Sequence, residues 1–296
     1  MHTLWEPPGG EEPDVDIVAV HGLGGDAYMS WTLDDKLWLR DFLPHQLQNP
    51  PDEFKNDSVG AKRVRVMTFG YNANIFTEAP KKDTFSIGQE LLAAVKAWRL
   101  GKARDRPLIF VGHSLGGIVI KKALNFAQSR QSLYFELLRS VEHICFFGTP
   151  HQGTESVIGV LQSLSVQLTR AEDGAILREL ALWSNLVIQA NEEFAGIADQ
   201  FTITTFYENK KLYGRIVVNK GSATLHKNNE TVVGLDRNHV SMCKFDNIDD
   251  GCYRIVFARL RAEISQIYSE ERVRLRLGQV QQAFASVAPI SSGNEE

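Results

Sequence analysis

Six short apolar runs punctuate the chain, and between them the apolar spacing turns helical. "DIVAVHG" (16–22) is almost wholly apolar, as a strand buried on both faces of a parallel sheet would be. "RVRVMTFGY" (63–71) alternates Arg63 and Arg65 with Val64 and Val66. That period of two predicts a strand with one wetter face near a sheet edge. "PLIFV" (107–111), "EHICFFGT" (142–149), "FTITTFYE" (201–208) and "GRIVVNK" (214–220) complete about six predicted strands.

The intervening stretches predict helices. Ser86 and Gln89 form an S-x-x-Q capping pattern, and Ile87, Leu91, Val95 and Trp98 share a helix face. Ile120, Ala123, Leu124 and Ala127 repeat the pattern after a glycine-rich turn. A long final helix opens near Asp249 and Asp250, acids suited to a helix N-terminus, and carries a stripe of Val256, Leu260, Ile264 and Ile267. Strands alternating with helices predict an α/β fold, with a mostly parallel central sheet covered on both faces. Residues 154–199 form a helical insertion with two amphipathic segments, about 155–170 and 175–194. It reads either as sheet-covering helices or as a cap over an acyl-binding cleft. Residues 1–13 predict a flexible N-terminal segment, 14–268 the folded domain, and 269–296 a charged helical extension running into a disordered tail or linker.

Composition then removes whole classes of function. The 296 residues are 43% apolar and 23% charged, as in a soluble globular protein with a large core. The net charge of -4 offers no broad basic field, so no nucleic-acid partner is expected. Cys145, Cys243 and Cys252 lack metal-ligand spacing and fit free thiols in a reducing compartment. The polar start carries no secretory signal, and the longest apolar run is broken by Gly112, His113 and Ser114 before it could span a bilayer. The expected setting is intracellular, in the cytoplasm, and compatible with peripheral membrane contact. No cofactor or metal is expected: H-E-x-x-H is absent, and Gly101-Lys102 lacks the earlier glycine of a P-loop.

The chemistry gathers at Gly112-His113-Ser114-Leu115-Gly116, set between a predicted strand and a predicted helix. A nucleophile elbow needs that context, with small residues on both sides of a serine held at a strained backbone position. A serine hydroxyl needs a base, and the base an acid, in the chain order Ser, then Asp or Glu, then His. Of eight histidines, His239 lies in the loop between the last predicted strand and the final helix, where the base is expected. Glu208, at the end of its strand, is the favoured acid. Asp236, three residues before His239, is the alternative, and Asp199 fits worse. "VAVHGLGG" ends the first strand in a glycine-rich loop that can turn N–H groups toward Ser114. The expected oxyanion donors are the N–H groups of Leu23 and Leu115. Gly22 to Ala27 also match a G-x-G-x-x-A dinucleotide fingerprint, but the next strand ends without an acid for a ribose and no clean helix follows.

With these residues placed, "DIVAVHGLGGDAYMSWT", "LWLRDFLP", "VRVMTFGYNAN", "RPLIFVGHSLGGIVIKKAL", "FFGTPHQG" and "NHVSMCKF" resemble, in order, the serine esterase or lipase-like α/β-hydrolases. That group includes N-terminal domains of fungal NOD-like receptors, placed ahead of NACHT and repeat regions. The resemblance covers roughly residues 14–268. It implies an α/β-hydrolase fold, Ser114 as nucleophile, His239 as base, and an oxyanion loop of His21, Gly22 and Leu23 steadied by Gly24. Related sequences often carry an acid within Val218–Ala223; this chain has none there, which adds weight to Glu208. The expected activity is hydrolysis of a small-molecule or lipid ester through an acyl-enzyme. The alternative is a weakly or non-catalytic signalling module keeping the fold, linked to downstream NACHT or repeat regions in a longer protein.

Overall fold

Alternation along β2 (Val15–Val20) builds two cores at once. Val15, Ile17 and Ala19 pack into one cluster and Val18 and Val20 into the other, so every position of the strand is buried. The computed structural model describes residues 1–54, 60–73, 84–152, 185 and 187–269. β1 (His2–Trp5), β5 (Val64–Phe69), β6 (Leu108–His113), β7 (Val141–Phe147), β8 (Thr202–Glu208) and β9 (Glu230–Leu235) join β2 in one sheet, in the order β1-β5-β2-β6-β7-β8-β9. β1 pairs antiparallel to β5, and the other neighbours are parallel. Two short strands, β3 (Thr32–Leu33) and β4 (Lys36–Leu37), form a separate hairpin. One face is covered by the final helix, Gly251–Ile267, through Val256, Leu260, Ile264 and Ile267. The other is covered by the helices Thr84–Trp98, Leu115–Ser129 and Gln131–Ser140.

Several expectations needed correction. The first residues are no loose segment, since His2–Trp5 close the sheet edge. β5 therefore has neighbours on both sides, and the two arginines part: Arg63 precedes the strand with its side chain 40% exposed, while Arg65 within it is buried. Arg65 turns inward onto the buried Asp16 carboxylate at 2.8 Å and 2.9 Å, joined there by Arg99 at 2.7 Å and Arg106 at 3.1 Å. Charge pairing, and not solvent, satisfies the polar residues on that face. The predicted strand at 214–220 is a loop, and the seventh strand is Glu230–Leu235. Ser86 lies inside its helix, which starts by Thr84, and Trp98 is 42% exposed while Leu92 joins the buried stripe. Asp250 does cap the final helix, accepting from the N–H groups of Cys252 and Tyr253. Of the insertion at 154–199, residues 187–195 are helical and Phe194 packs in the second core. Both proposed helices otherwise lie outside the described residues, as does the extension beyond residue 269.

Candidate active site

Ser114 stands between β6 and the helix Leu115–Ser129 at φ 51°, ψ -122°. A non-glycine residue holds that backbone only when its surroundings enforce it. The enforcement is visible on both sides. The Ser114 N–H donates to the carbonyl of Phe147 at 2.8 Å. A Cβ at Gly116 would overlap the carbonyl oxygens of Val20 and His21, and one at Gly112 would lie 2.8 Å from Gly117 Cα and Ile120 Cδ1. The turn is tight enough that only hydrogens fit at both positions.

His239, in the loop after β9, comes to this serine from 125 residues away. Its Nε2 lies 2.9 Å from Ser114 Oγ, and its Nδ1 lies 2.7 Å from Glu208 Oε2. A carboxylate accepts only, so Nδ1 carries the hydrogen and Nε2 is left to accept from the serine hydroxyl. All three residues are buried. The other Glu208 oxygen, Oε1, accepts from the N–H groups of Val217 at 2.5 Å and Val218 at 2.9 Å. These are the valines expected in a strand; their N–H groups serve the carboxylate instead of a ladder. The Asp236 carboxylate turns to a different partner: its side chain is 73% exposed and pairs with Lys210 at 2.9 Å.

The glycine loop after β2 sits against the elbow, since a Cβ at Gly22 would lie 2.8 Å from Ser114 Cβ. The Gly22 carbonyl is held from two directions, by His21 Nδ1 at 3.0 Å and by the Gly25 N–H at 3.1 Å. In a trans peptide the N–H points opposite to the carbonyl, so pinning that oxygen also aims the Leu23 N–H. Among the described residues no acceptor takes the N–H of Leu23 or of Leu115, the first residue of the elbow helix. Gly24 follows at φ 63°, a left-handed turn that suits glycine. Burial holds the His21 ring below the usual histidine range. Burial first, and the adjacent His239 second, push His113 down to about 3.

Two neighbours of the candidate site escaped the sequence reading. Tyr71 stacks on His21 with ring centroids 4.3 Å apart, and its Oη donates to the His21 carbonyl at 2.8 Å. Gly148, at φ 55°, lies under the base: a Cβ there would be 2.9 Å from His239 Nδ1. Each stands in a segment used for the resemblance, "VRVMTFGYNAN" and "FFGTPHQG", but no local pattern marks either as part of a site. Above Ser114 and His239 opens a cleft of about 170 Å³, also lined by Leu23, Met29, Val240 and Lys244. Among the described residues, no three His, Cys, Asp or Glu side chains are grouped to hold a metal, and no helix is long and apolar enough to cross a membrane.

Residues 12–171 match the family described as "Putative serine esterase (DUF676)". Protein SERAC1 of Danio rerio is 26% identical over 271 residues, covering 81% of this chain and 37% of that protein. Protein SERAC1 of Homo sapiens is 23% identical over 272 residues, covering 85% and 39%. The chain thus spans about two fifths of the length of these curated relatives. Among solved structures, one from a study of two fungal esterases of Rhizomucor miehei superposes with a TM-score of 0.54 at 14% identity, covering 89% of this chain and 78% of that one. At that identity the likeness speaks for the fold, which is that of the α/β-hydrolases.

Proposed function

The chain belongs to the DUF676 family of serine esterases, and from that premise we propose that it hydrolyses carboxylic esters through an acyl-enzyme on Ser114. The observation that carries the reading is the unbroken relay from Ser114 Oγ through His239 to Glu208, at 2.9 Å and 2.7 Å. Ser114 Oγ attacks the ester carbonyl carbon while His239 Nε2 takes its proton. The carbonyl oxygen becomes an oxyanion facing the N–H groups of Leu23 and Leu115. Collapse breaks the ester C–O bond, and the departing alcohol takes the proton from Nε2. Water then attacks the acyl carbon, gives a proton to Nε2, and the carboxylic acid leaves as Ser114 recovers its hydrogen. Glu208 keeps Nδ1 protonated and faces the imidazolium formed in each half. We favour a lipid or other apolar acyl ester as substrate, on the apolar faces that the sequence places at 155–170 and 175–194.

Ser114→Ala is expected to abolish both turnover of p-nitrophenyl esters and labelling by a fluorophosphonate. Labelling that survives the substitution would remove Ser114 from the mechanism. The resemblance to receptor N-terminal domains supports a second reading, a signalling module on the same fold. Protein with Ser114 intact that resists the fluorophosphonate would favour it.

A further inference from the structure

We propose that His113 is a positioning residue that holds the main chain of His239, so that the residue preceding the nucleophile also aims the base. The inference rests on the hydrolase reading above. His113 closes β6, and its Nε2 lies 2.8 Å from the carbonyl oxygen of His239. A carbonyl only accepts, so Nε2 carries the hydrogen. With its pKa pushed down to about 3, the ring is neutral at working pH and has one hydrogen to give. Its bare Nδ1 faces the oxyanion loop, where a Cβ on Gly22 would lie 3.3 Å away. The ring is therefore wedged between the loop of the oxyanion donors and the loop of the base.

The need for such an anchor follows from the reaction. His239 is held at its ring by Ser114 and Glu208. The bond to Ser114 cannot survive acylation, because Oγ then has no hydrogen and belongs to the ester. Glu208 is then the ring's one remaining hydrogen-bond partner among those two, and the main chain that carries the ring must be held separately. The bond from His113 involves neither Oγ nor the travelling proton, so it persists through both halves of the cycle. The remaining contacts of the base loop lead elsewhere. Asn238 Oδ1 accepts from the N–H groups of Val240 and Ser241, which shapes the turn internally. Trp38 Nε1 donates to the Cys243 carbonyl at 2.9 Å and Lys244 Nζ to the Met29 carbonyl at 2.7 Å, tying the loop to the segment after β2. His113 ties it to the elbow itself, one residue from the atom that must be met.

Two substitutions separate this role from packing. His113→Phe keeps a planar ring and removes the donor; His113→Gln keeps an N–H donor. With p-nitrophenyl acetate, His113→Phe should lower kcat by about 10- to 100-fold with KM nearly unchanged, the scale of a misplaced catalytic group. His113→Gln should recover to within about threefold of wild type by supplying the same hydrogen bond. A folded His113→Phe protein with wild-type kcat, or equal losses in both variants, overturns the proposal. Should His113→Phe fail to fold, His113→Met, which also lacks a donor, takes its place. A second measurement needs no turnover: imidazole ¹⁵N NMR of the His239 Nδ1–H. Its exchange with water should quicken in His113→Phe and stay near wild type in His113→Gln; unchanged exchange in His113→Phe also overturns the proposal. If wild-type protein shows no Ser114-dependent turnover, the hydrolase reading fails, while the exchange measurement still decides the His113 anchor.

Discussion

Replacing Glu208 by Gln keeps the side chain's size and removes its charge, and the surrounding donors dictate what happens next. Oε1 already receives two N–H groups, from Val217 and Val218. The amide oxygen of the variant therefore stays on that side and the NH2 turns to His239. An NH2 can only donate, so Nδ1 gives up its hydrogen and Nε2 takes one. That tautomer cannot accept the Ser114 proton. The imidazolium also loses the carboxylate now 2.7 Å from Nδ1. Taking the charge centres as about 4 Å apart at an effective dielectric of about 20, the lost attraction is about 4 kcal/mol. That corresponds to about 10³ in rate, and with the wrong tautomer we expect kcat to fall by about 10³ to 10⁴ with KM little changed. Steady-state turnover of p-nitrophenyl acetate, with a thermal melt to establish folding, measures this directly. Asp236→Asn is the companion: its carboxylate is exposed and paired with Lys210, so kcat should stay within about twofold. A folded Glu208→Gln protein retaining more than about a tenth of wild-type kcat would refute the reasoning, since no more than about 1.4 kcal/mol would then be lost. So would an equal loss in Asp236→Asn.

Gly148→Ala should disturb the base from below. The position has φ 55° and the new Cβ would press on His239 Nδ1 at 2.9 Å, so kcat should drop while stability falls by about 1–3 kcal/mol, both read from turnover and urea unfolding. Unchanged kcat would show that the ring tolerates the displacement. Lys121 tests a different kind of burial: its Nζ is enclosed with His151 Nδ1 and Asn191 Oδ1, and desolvation holds its pKa well below the usual lysine range. Between that lowered value and about 10.4, the unfolded chain binds a proton that the folded chain does not, so stability rises with pH across this window. The stability difference favouring Lys121→Met should therefore be largest at neutral pH and shrink as pH is raised toward 10. A difference independent of pH in urea titrations would contradict the assignment.

Much of the site was readable wherever its parts are contiguous. The elbow is a strand ending at His113, the single residue Ser114 and a helix starting at Leu115, so its parts are neighbours in sequence, and the glycines that let Ser114 take its strained backbone stand within two residues of it. The glycine loop behind Leu23 is local in the same way. His239 could be chosen by chain order, because in this fold the base follows the last strand. Tyr71 and Gly148 could not be chosen so, because each meets its partner only across the fold, Tyr71 at His21 and Gly148 at His239.

Distance in space separates the alternatives that chain order and periodicity left open. Glu208 and Asp236 were both chemically suitable acids, and Asp236 was the nearer in sequence. Folding put Glu208 at the buried end of β8 against His239 and left Asp236 in solvent beside Lys210. The valines at 217 and 218 read as strand because apolar runs are buried in either case. A period of two likewise cannot tell Arg65 facing water from Arg65 facing Asp16. Patterning along the chain therefore determined which apolar runs would enter the core and where the candidate nucleophile stands. The tertiary structure decided which buried polar groups face one another, because a hydrogen bond depends on a separation of about 3 Å that sequence distance does not record.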